Sequence, residues 1–432
     1  MSSATLLGHV RRHGRRAAWA VADQGAYPLM LLVLTPVLLE HLGRAGFGLW
    51  MLAVTIVSMS PLLSCGSAMA VTKHVSADLA VGAQAEAVAA IRAALLVAAI
   101  GGLVAALLAW LSAPLVAASL FAQMGAPATT APVLALCGLA AAVQEIDNVY
   151  AAAMRGAERF DLCARVELPS RLAMLLVLGS LASRGSGVQS LLVALIVMMV
   201  GKAALKGLQV VTLLNCRACG LPSLARAPLQ RLLSFGVWQW LQSAGSVLFA
   251  ATDQLLIGGL LGAAALTRYS ICLQIAQYVH WLPSVMLQIV FPRLSALGQN
   301  LDPRRGNDIL RATTLAALAA AALLGAPLLL FGRPLLRAWI GADFADENQL
   351  LLAVLVLVHI ALAGNIGAYF VLLGSGRPAT SARIVLAAGA AQSIFAVVAA
   401  PFGILAVACN RFVYSCLTAF LYGAARYRVR ER

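Results

Sequence analysis

Residues Ala93–Ala113 read AALLVAAIGGLVAALLAWLSA, a run without a charged side chain. A helix needs about 20 apolar residues to cross a hydrocarbon core of roughly 30 Å, and this segment supplies them. It lies within an apolar stretch over 92–113, and working outward the same pattern recurs with short polar breaks. The remaining runs are 19–39, 47–70, 130–153, 167–183, 188–213, 233–260, 264–291, 311–331, 349–373, 381–400 and 402–423. Lipid cannot satisfy backbone N–H and C=O groups, so a spanning chain is helical or a closed barrel, and barrel strands alternate in polarity where these runs do not. The expectation is an all-α polytopic membrane protein with about 12 transmembrane helices. A composition of 62% hydrophobic and 11% charged residues, with mean hydropathy +0.90, excludes a water-soluble globule.

The formal net charge of +15 is explained by where the basic residues sit. With both termini cytoplasmic, the basic residues outside the spans crowd onto the inward side. The outward side keeps Arg44, Arg184, Arg268, Arg333 and Arg337, while Lys202, Lys206 and Arg411 fall inside or at the ends of spans. That bias follows the positive-inside rule and adds attraction to anionic inner-leaflet lipid, so no nucleic-acid partner is called for. Leu6–Arg16, with four arginines and two histidines, reads as a basic surface segment ahead of the first span. The first apolar run is too long, and too well continued by a second, to be a cleaved signal.

Arginine outnumbers lysine 28 to 3 in an alanine- and leucine-rich chain, a composition that suggests a GC-rich bacterial genome. The eight cysteines are scattered, mostly within spans, and give no disulfide framework. Cys216 and Cys219 form one C-x-x-C without the second ligand pair that zinc requires. No nucleotide-binding P-loop is present, so no ATP-driven pump and no cofactor are expected.

A faint internal repeat organises the chain. Leu42–Trp50 reads LGRAGFGLW, and halfway along the chain from it Leu261–Tyr269 reads LGAAALTRY. Two six-helix bundles follow. The division expected is a basic segment over 1–18, a bundle over 19–215, a linker over 216–230, a second bundle over 231–424 and a basic tail over 425–432. At Leu42–Trp50, Asn148–Phe160 (NVYAAAMRGAERF), Asp253–Tyr269 (DQLLIGGLLGAAALTRY) and Leu373–Arg377 (LGSGR) the sequence resembles the Wzx-type flippases. These form the polysaccharide-transporter branch of the multidrug/oligosaccharidyl-lipid/polysaccharide (MOP) exporter superfamily. The resemblance covers nearly the whole chain. It implies a V-shaped pair of six-helix bundles that opens a central cavity to each side in turn. It also implies an undecaprenyl-diphosphate-linked oligosaccharide as substrate.

Ionisable groups inside a span are costly unless paired or facing water, so each is a candidate for function. Arg411, near the middle of the last span, offers permanent bidentate recognition of phosphate, or a structural ion pair within the second bundle. Lys202 and Lys206 are spaced i,i+4 on one face, fit either to receive a diphosphate or to snorkel to inner-leaflet phosphates. In the fourth span Gln144, Asn148, Ala151 and Arg155 share a face, a stripe suited to line a cavity, with Arg155 joining the lysines as an anion-binding candidate. Glu145 and Asp147 in that span, Asp253 in the seventh and Asp23 in the first are the acids suited to couple a proton or cation; Glu145 could equally pair with Lys202 or another intramembrane cation, and Asp23, close to the interface, could equally take a solvated or helix-terminal role. Pro28, Pro36, Pro61, Pro283 and Pro292 cluster in the first, second and eighth spans as places to bend, with Pro36 and Pro292, near span ends, read as terminators instead.

The leading expectation is a flippase, not an enzyme, acting on a lipid-linked oligosaccharide of O-antigen, capsule or exopolysaccharide type. Its partners would be bilayer lipids and a polysaccharide polymerase or glycosyltransferase. A multidrug antiporter of the same superfamily is the alternative. A membrane glycosyltransferase or polymerase comes third, because the richest outward segment, Arg333–Glu347, is short.

Overall fold

The computed structural model describes residues 3–63, 66–216, 221–297, 303–374 and 377–426. Side chains before residue 29 and from 288 to 303, among others, lie outside the description, and with them that of Asp23. Among the described residues the chain is helical without a strand. The helices are α1 (Ser3–Ser58), α2 (Ser67–Ala80), α3 (Gln84–Ser119), α4 (Pro127–Gly156), α5 (Phe160–Ser183), α6 (Val188–Leu213) and α7 (Arg226–Leu256). They continue as α8 (Ala263–Ala276), α9 (Tyr278–Leu297), α10 (Pro303–Trp339), α11 (Ala342–Ala363), α12 (Ile366–Gly374), α13 (Pro378–Ala399), α14 (Ile404–Thr418) and α15 (Phe420–Ala425).

Ten helices among the described residues are long and apolar enough to cross a membrane, where the sequence suggested twelve. Two places account for the difference. The first two expected spans join across Gly43, whose φ of 68° and ψ of 175° are not helical although helix continues on both sides. The expected span over 264–291 is divided at Gln277 into α8 and α9, upstream of Pro283. Pro61 behaves as its chemistry demands: α1 ends at Ser58, a 3-10 turn covers Ser60–Leu62, and α2 begins at Ser67.

The repeat is written in the backbone. Gly262, which aligns with Gly43 when LGAAALTRY is laid on LGRAGFGLW, has φ 84° and ψ 178°, so the same break recurs in the second half. Gly125 and Gly341 precede α4 and α11 with positive φ in both cases. Gly187 and Gly403, separated by the same stretch of sequence as Gly125 and Gly341, are the residues before α6 and α14.

The chain divides into two compact units, Met1–Trp240 and Leu241–Arg432. The boundary falls inside α7, beyond the expected linker, because the start of α7 is bound to the first unit. Arg231 donates to both carboxylate oxygens of Asp78 at 3.0 and 2.7 Å, and that hydrogen-bonded pairing holds the guanidinium pKa above its ordinary value. Leu232 is buried in the same core as Val71, Val75 and Val149. The Trp240 indole N–H donates to the Leu62 carbonyl at 2.9 Å. Ahead of them, Arg92 Nε donates to Leu221 O at 3.1 Å and Ser223 N donates to Arg92 O at 3.1 Å.

Lipid provides no hydrophobic drive between helices, so small residues set how closely they pack. A Cβ on Gly102 of α3 would come within 2.7 Å of the Ala142 Cβ of α4. In the second unit α7 and α13 cross at Gly245 and Gly389, where a Cβ on Gly245 would come within 2.8 Å of the Leu386 backbone and one on Gly389 within 2.6 Å of the Gly245 carbonyl.

Candidate functional site

Three helices of the first unit bring charged side chains together. On α6 the i,i+4 spacing sets Lys202 and Lys206 one above the other. Facing them are Asp147 from α4 and Glu167 from α5. Lys206 is wholly buried, and its ammonium lies 2.9 Å from Asp147 and also bonds Glu167. Lys202 lies 3.0 Å from Asp147 and 3.5 Å from Glu167. Arg171, one turn along α5 from Glu167, reaches the other oxygen of that carboxylate at 3.5 Å. Each ion here would cost several kcal/mol to desolvate alone, and the mutual pairing is what lets the group sit among apolar helices.

The cluster forms one wall of a cavity of about 540 Å³ within the first unit. Gln144, Asn148, Ala151 and Arg155, the stripe read from helical phase on α4, all line it. Four cations, Arg155, Arg171, Lys202 and Lys206, face two acids, Asp147 and Glu167, so the wall carries excess positive charge. Apart from Ser58, Ser60 and Ser170 the rest is largely apolar, including Met30, Leu34, Trp50, Leu195 and Met198. A wall of this kind suits an anionic group attached to an apolar chain.

Glu145 takes a partner on its own helix. It is 1% exposed and accepts a hydrogen bond from Asn148 Nδ2 at 2.9 Å, while Gln144 Nε2 donates to Asn148 Oδ1 at 3.1 Å. The acids that meet Lys202 are Asp147 and, farther off, Glu167. Glu167 is absent from the sequence reading altogether. Its signal was its position four residues before Arg171, but it sits at the inward end of a span, where a carboxylate passes for a solvated terminus.

In the second unit Arg411 of α14 and Asp253 of α7 are both buried and 2.9 Å apart. Tyr269 of α8 donates its hydroxyl to Asp253 Oδ2 at 2.7 Å and accepts from Arg411 Nη1 at 2.9 Å. Gln392 Nε2 donates to Asp253 Oδ1 at 2.6 Å, and Asn410 Nδ2 donates to the Gln392 carbonyl at 2.9 Å. The Arg411 guanidinium carbon stands 4.1 Å from the centre of the Phe249 ring, which itself stacks on Tyr414. Of the two readings of Arg411 from sequence, this arrangement is the internal ion pair. Of the eight candidates, the structure therefore gathers Asp147, Lys202 and Lys206 with Arg155 around one cavity and Asp253 with Arg411 in another bundle.

The fold is shared with transporters of the MOP superfamily. An inward-facing multidrug resistance MATE family transporter of that superfamily superposes with TM-score 0.79 at 13% identity, over 92% of this chain and 94% of the other. An outward-facing multidrug resistance MATE family transporter gives 0.63 at 15% identity, over 95% and 94%. A MOP superfamily transporter from Pyrococcus furiosus, described as having a binding pocket of reverse polarity, gives 0.62 at 13% identity, over 95% and 93%. Helical architecture, ten apolar helices among the described residues and this likeness define a multi-pass membrane protein of MOP fold. Residues 41–341 match the model of the polysaccharide biosynthesis protein family, and the chain belongs to that family. No curated protein matches it.

Proposed function

We propose that this chain is a flippase that moves an undecaprenyl-diphosphate-linked oligosaccharide across a bacterial inner membrane. The observation that carries the reading is the excess of cations on the wall of the first unit's cavity. Lys202, Lys206 and Arg155, with Arg171, would hold the diphosphate, and the uncharged stripe of Gln144 and Asn148 would meet sugar hydroxyls. The physical task is to carry a hydrophilic headgroup through a medium that would otherwise exact its full desolvation cost. Membership of a polysaccharide biosynthesis family and a MOP transporter fold support the cargo class and the mode of action. Of Glu145, Asp147 and Asp253, the one on the cavity wall is Asp147, so proton or cation coupling is assigned to it. No bond is made or broken, and a polymerase or glycosyltransferase would supply or consume the substrate.

Translocation of a fluorescent undecaprenyl-diphosphate oligosaccharide into proteoliposomes tests this, with wild type beside Lys202→Gln and Arg155→Gln, with and without a proton gradient. Losing one charge-assisted contact, about 1.5–3 kcal/mol, should weaken substrate affinity roughly tenfold or more. The MATE-like fold favours one competitor, a cation antiporter. Uptake of a cationic dye by the same vesicles, with no glycolipid movement across several glycans, would establish that reading instead.

A further inference from the structure

The hairpin glycines fix a register between the two halves. Gly43 laid on Gly262 aligns the first two helical arms of each half, and Gly187 laid on Gly403 aligns the last helix. Through it, five residues that line the first unit's cavity acquire counterparts. Met30, Leu34 and Trp50 correspond to Phe249, Asp253 and Tyr269, and Leu195 and Met198 correspond to Arg411 and Tyr414. All five counterparts belong to the buried cluster of the second unit. Where the first unit has an apolar-walled cavity, the second has an ion pair packed on stacked rings.

A second pairing agrees with the register of the last helix. In the inner part of the halves Gly156 aligns with Gly374 at the ends of α4 and α12. Asp147 then corresponds to Asn365, and the alignment of Gly187 with Gly403 makes Lys202 the counterpart of Thr418. The first-half residues are joined by an ion pair at 3.0 Å and the second-half residues by a hydrogen bond from Asn365 Nδ2 to Thr418 Oγ1 at 2.7 Å.

We propose that the second unit contains a receptor for a guanidinium-type organic monocation, made by the Asp253 carboxylate, the Tyr269 hydroxyl and the Phe249 ring, and that Arg411 occupies it as a tethered ligand. The geometry has what such a receptor needs: a buried anion at 2.9 Å, a buried oxygen acceptor at 2.9 Å and a half-buried aromatic face at 4.1 Å. A tethered cation is at effectively saturating concentration, so Asp253 is neutralised permanently and is withdrawn from proton or metal-ion exchange. The proposal does not depend on the identity of the transported molecule.

The test is removal of the tether and rescue by a free cation. In the purified full chain, Arg411→Ala should lower Tm, and methylguanidinium chloride should restore most of the loss in a saturable way, as ligand linkage requires. Tetramethylammonium chloride at equal ionic strength should not. Wild type, and an Asp253→Asn/Arg411→Ala variant, should show no methylguanidinium-specific shift. Equal shifts with both salts, or in all three proteins, overturn the proposal. Should Arg411→Ala yield no folded protein, a second comparison decides. Asp253→Leu/Arg411→Leu restores the pair found at Leu34 and Leu195 and should fold better than Arg411→Leu alone; a double variant no better than the single overturns the proposal.

Discussion

Lys206 is a fully buried ammonium held between two carboxylates, and Lys202, one turn away, keeps 16% of its side chain exposed against the same two acids. The two lysines look equivalent in sequence and are not equivalent in energy. Removing Lys206 takes the most deeply buried partner from both carboxylates and leaves Lys202 and Arg171 to compensate them, so the loss should fall toward the lower end of the about 3–5 kcal/mol of a broken buried pair. Lys206→Met should therefore lower Tm sharply, whereas Lys202→Met should cost well under that figure and affect headgroup affinity instead. Thermal unfolding of both variants, set beside their transport rates, separates the two roles; equal destabilisation would contradict it. Sequence alone could identify these lysines, because ionisable residues inside apolar runs stand out. It could not say which acid they meet. Asp147, Glu145 and Glu167 are all within reach of a plausible helix phase, and only packing of α4 and α5 against α6 decides among them.

At the scale of elements, the glycines matter more than the prolines. Pro28 and Pro36 lie within the uninterrupted helical arm of α1, while the chain turns at Gly43. A φ of 68° with ψ of 175° is a region essentially restricted to glycine, and a side chain there costs about 1–3 kcal/mol. Nothing lies within 4 Å of a Cβ built at that position, so Gly43→Ala isolates the backbone cost from any clash. The expected result is a Tm drop of that size, with the drop repeated in Gly262→Ala. Helix existence was legible from apolar runs because lipid demands length and apolarity. The junctions at Gly43 and Gly262 were legible too, since the expected spans stop at 39 and 260 and resume at 47 and 264. The linker was not. The residues 216–230 look like an inter-domain connection, yet Arg231, Leu232 and Trp240 tie the start of α7 back onto the first unit. The Arg231 side chain is 43% exposed, so Arg231→Ala should cost only about 1 kcal/mol and lose its effect at high salt, as measured by unfolding across an ionic-strength series.

Across the whole molecule, the two halves share a backbone and exchange their charges. The inner position holds Asp147 and Lys202 in one half and Asn365 and Thr418 in the other; the outer position holds Leu34 and Leu195 in one and Asp253 and Arg411 in the other. In sequence this register is almost invisible, because an alanine-rich chain dilutes every match and only Leu42–Trp50 against Leu261–Tyr269 survives. The exchange predicts that an ion pair can be moved between halves. Thr418 is 2% exposed and Asn365 9%, so Thr418→Lys alone would bury an unpaired ammonium and should cost about 3–5 kcal/mol. Asn365→Asp with Thr418→Lys rebuilds the pair already present at Asp147 and Lys202. The double variant should recover much of that loss, with a coupling of about 1–3 kcal/mol in a double-mutant cycle read by thermal unfolding. Simple additivity would mean that the second half does not offer the geometry of the first. The inner positions would then be related in sequence number alone, and the register that pairs Leu195 with Arg411 would rest on the hairpin glycines without support from the packing beneath them.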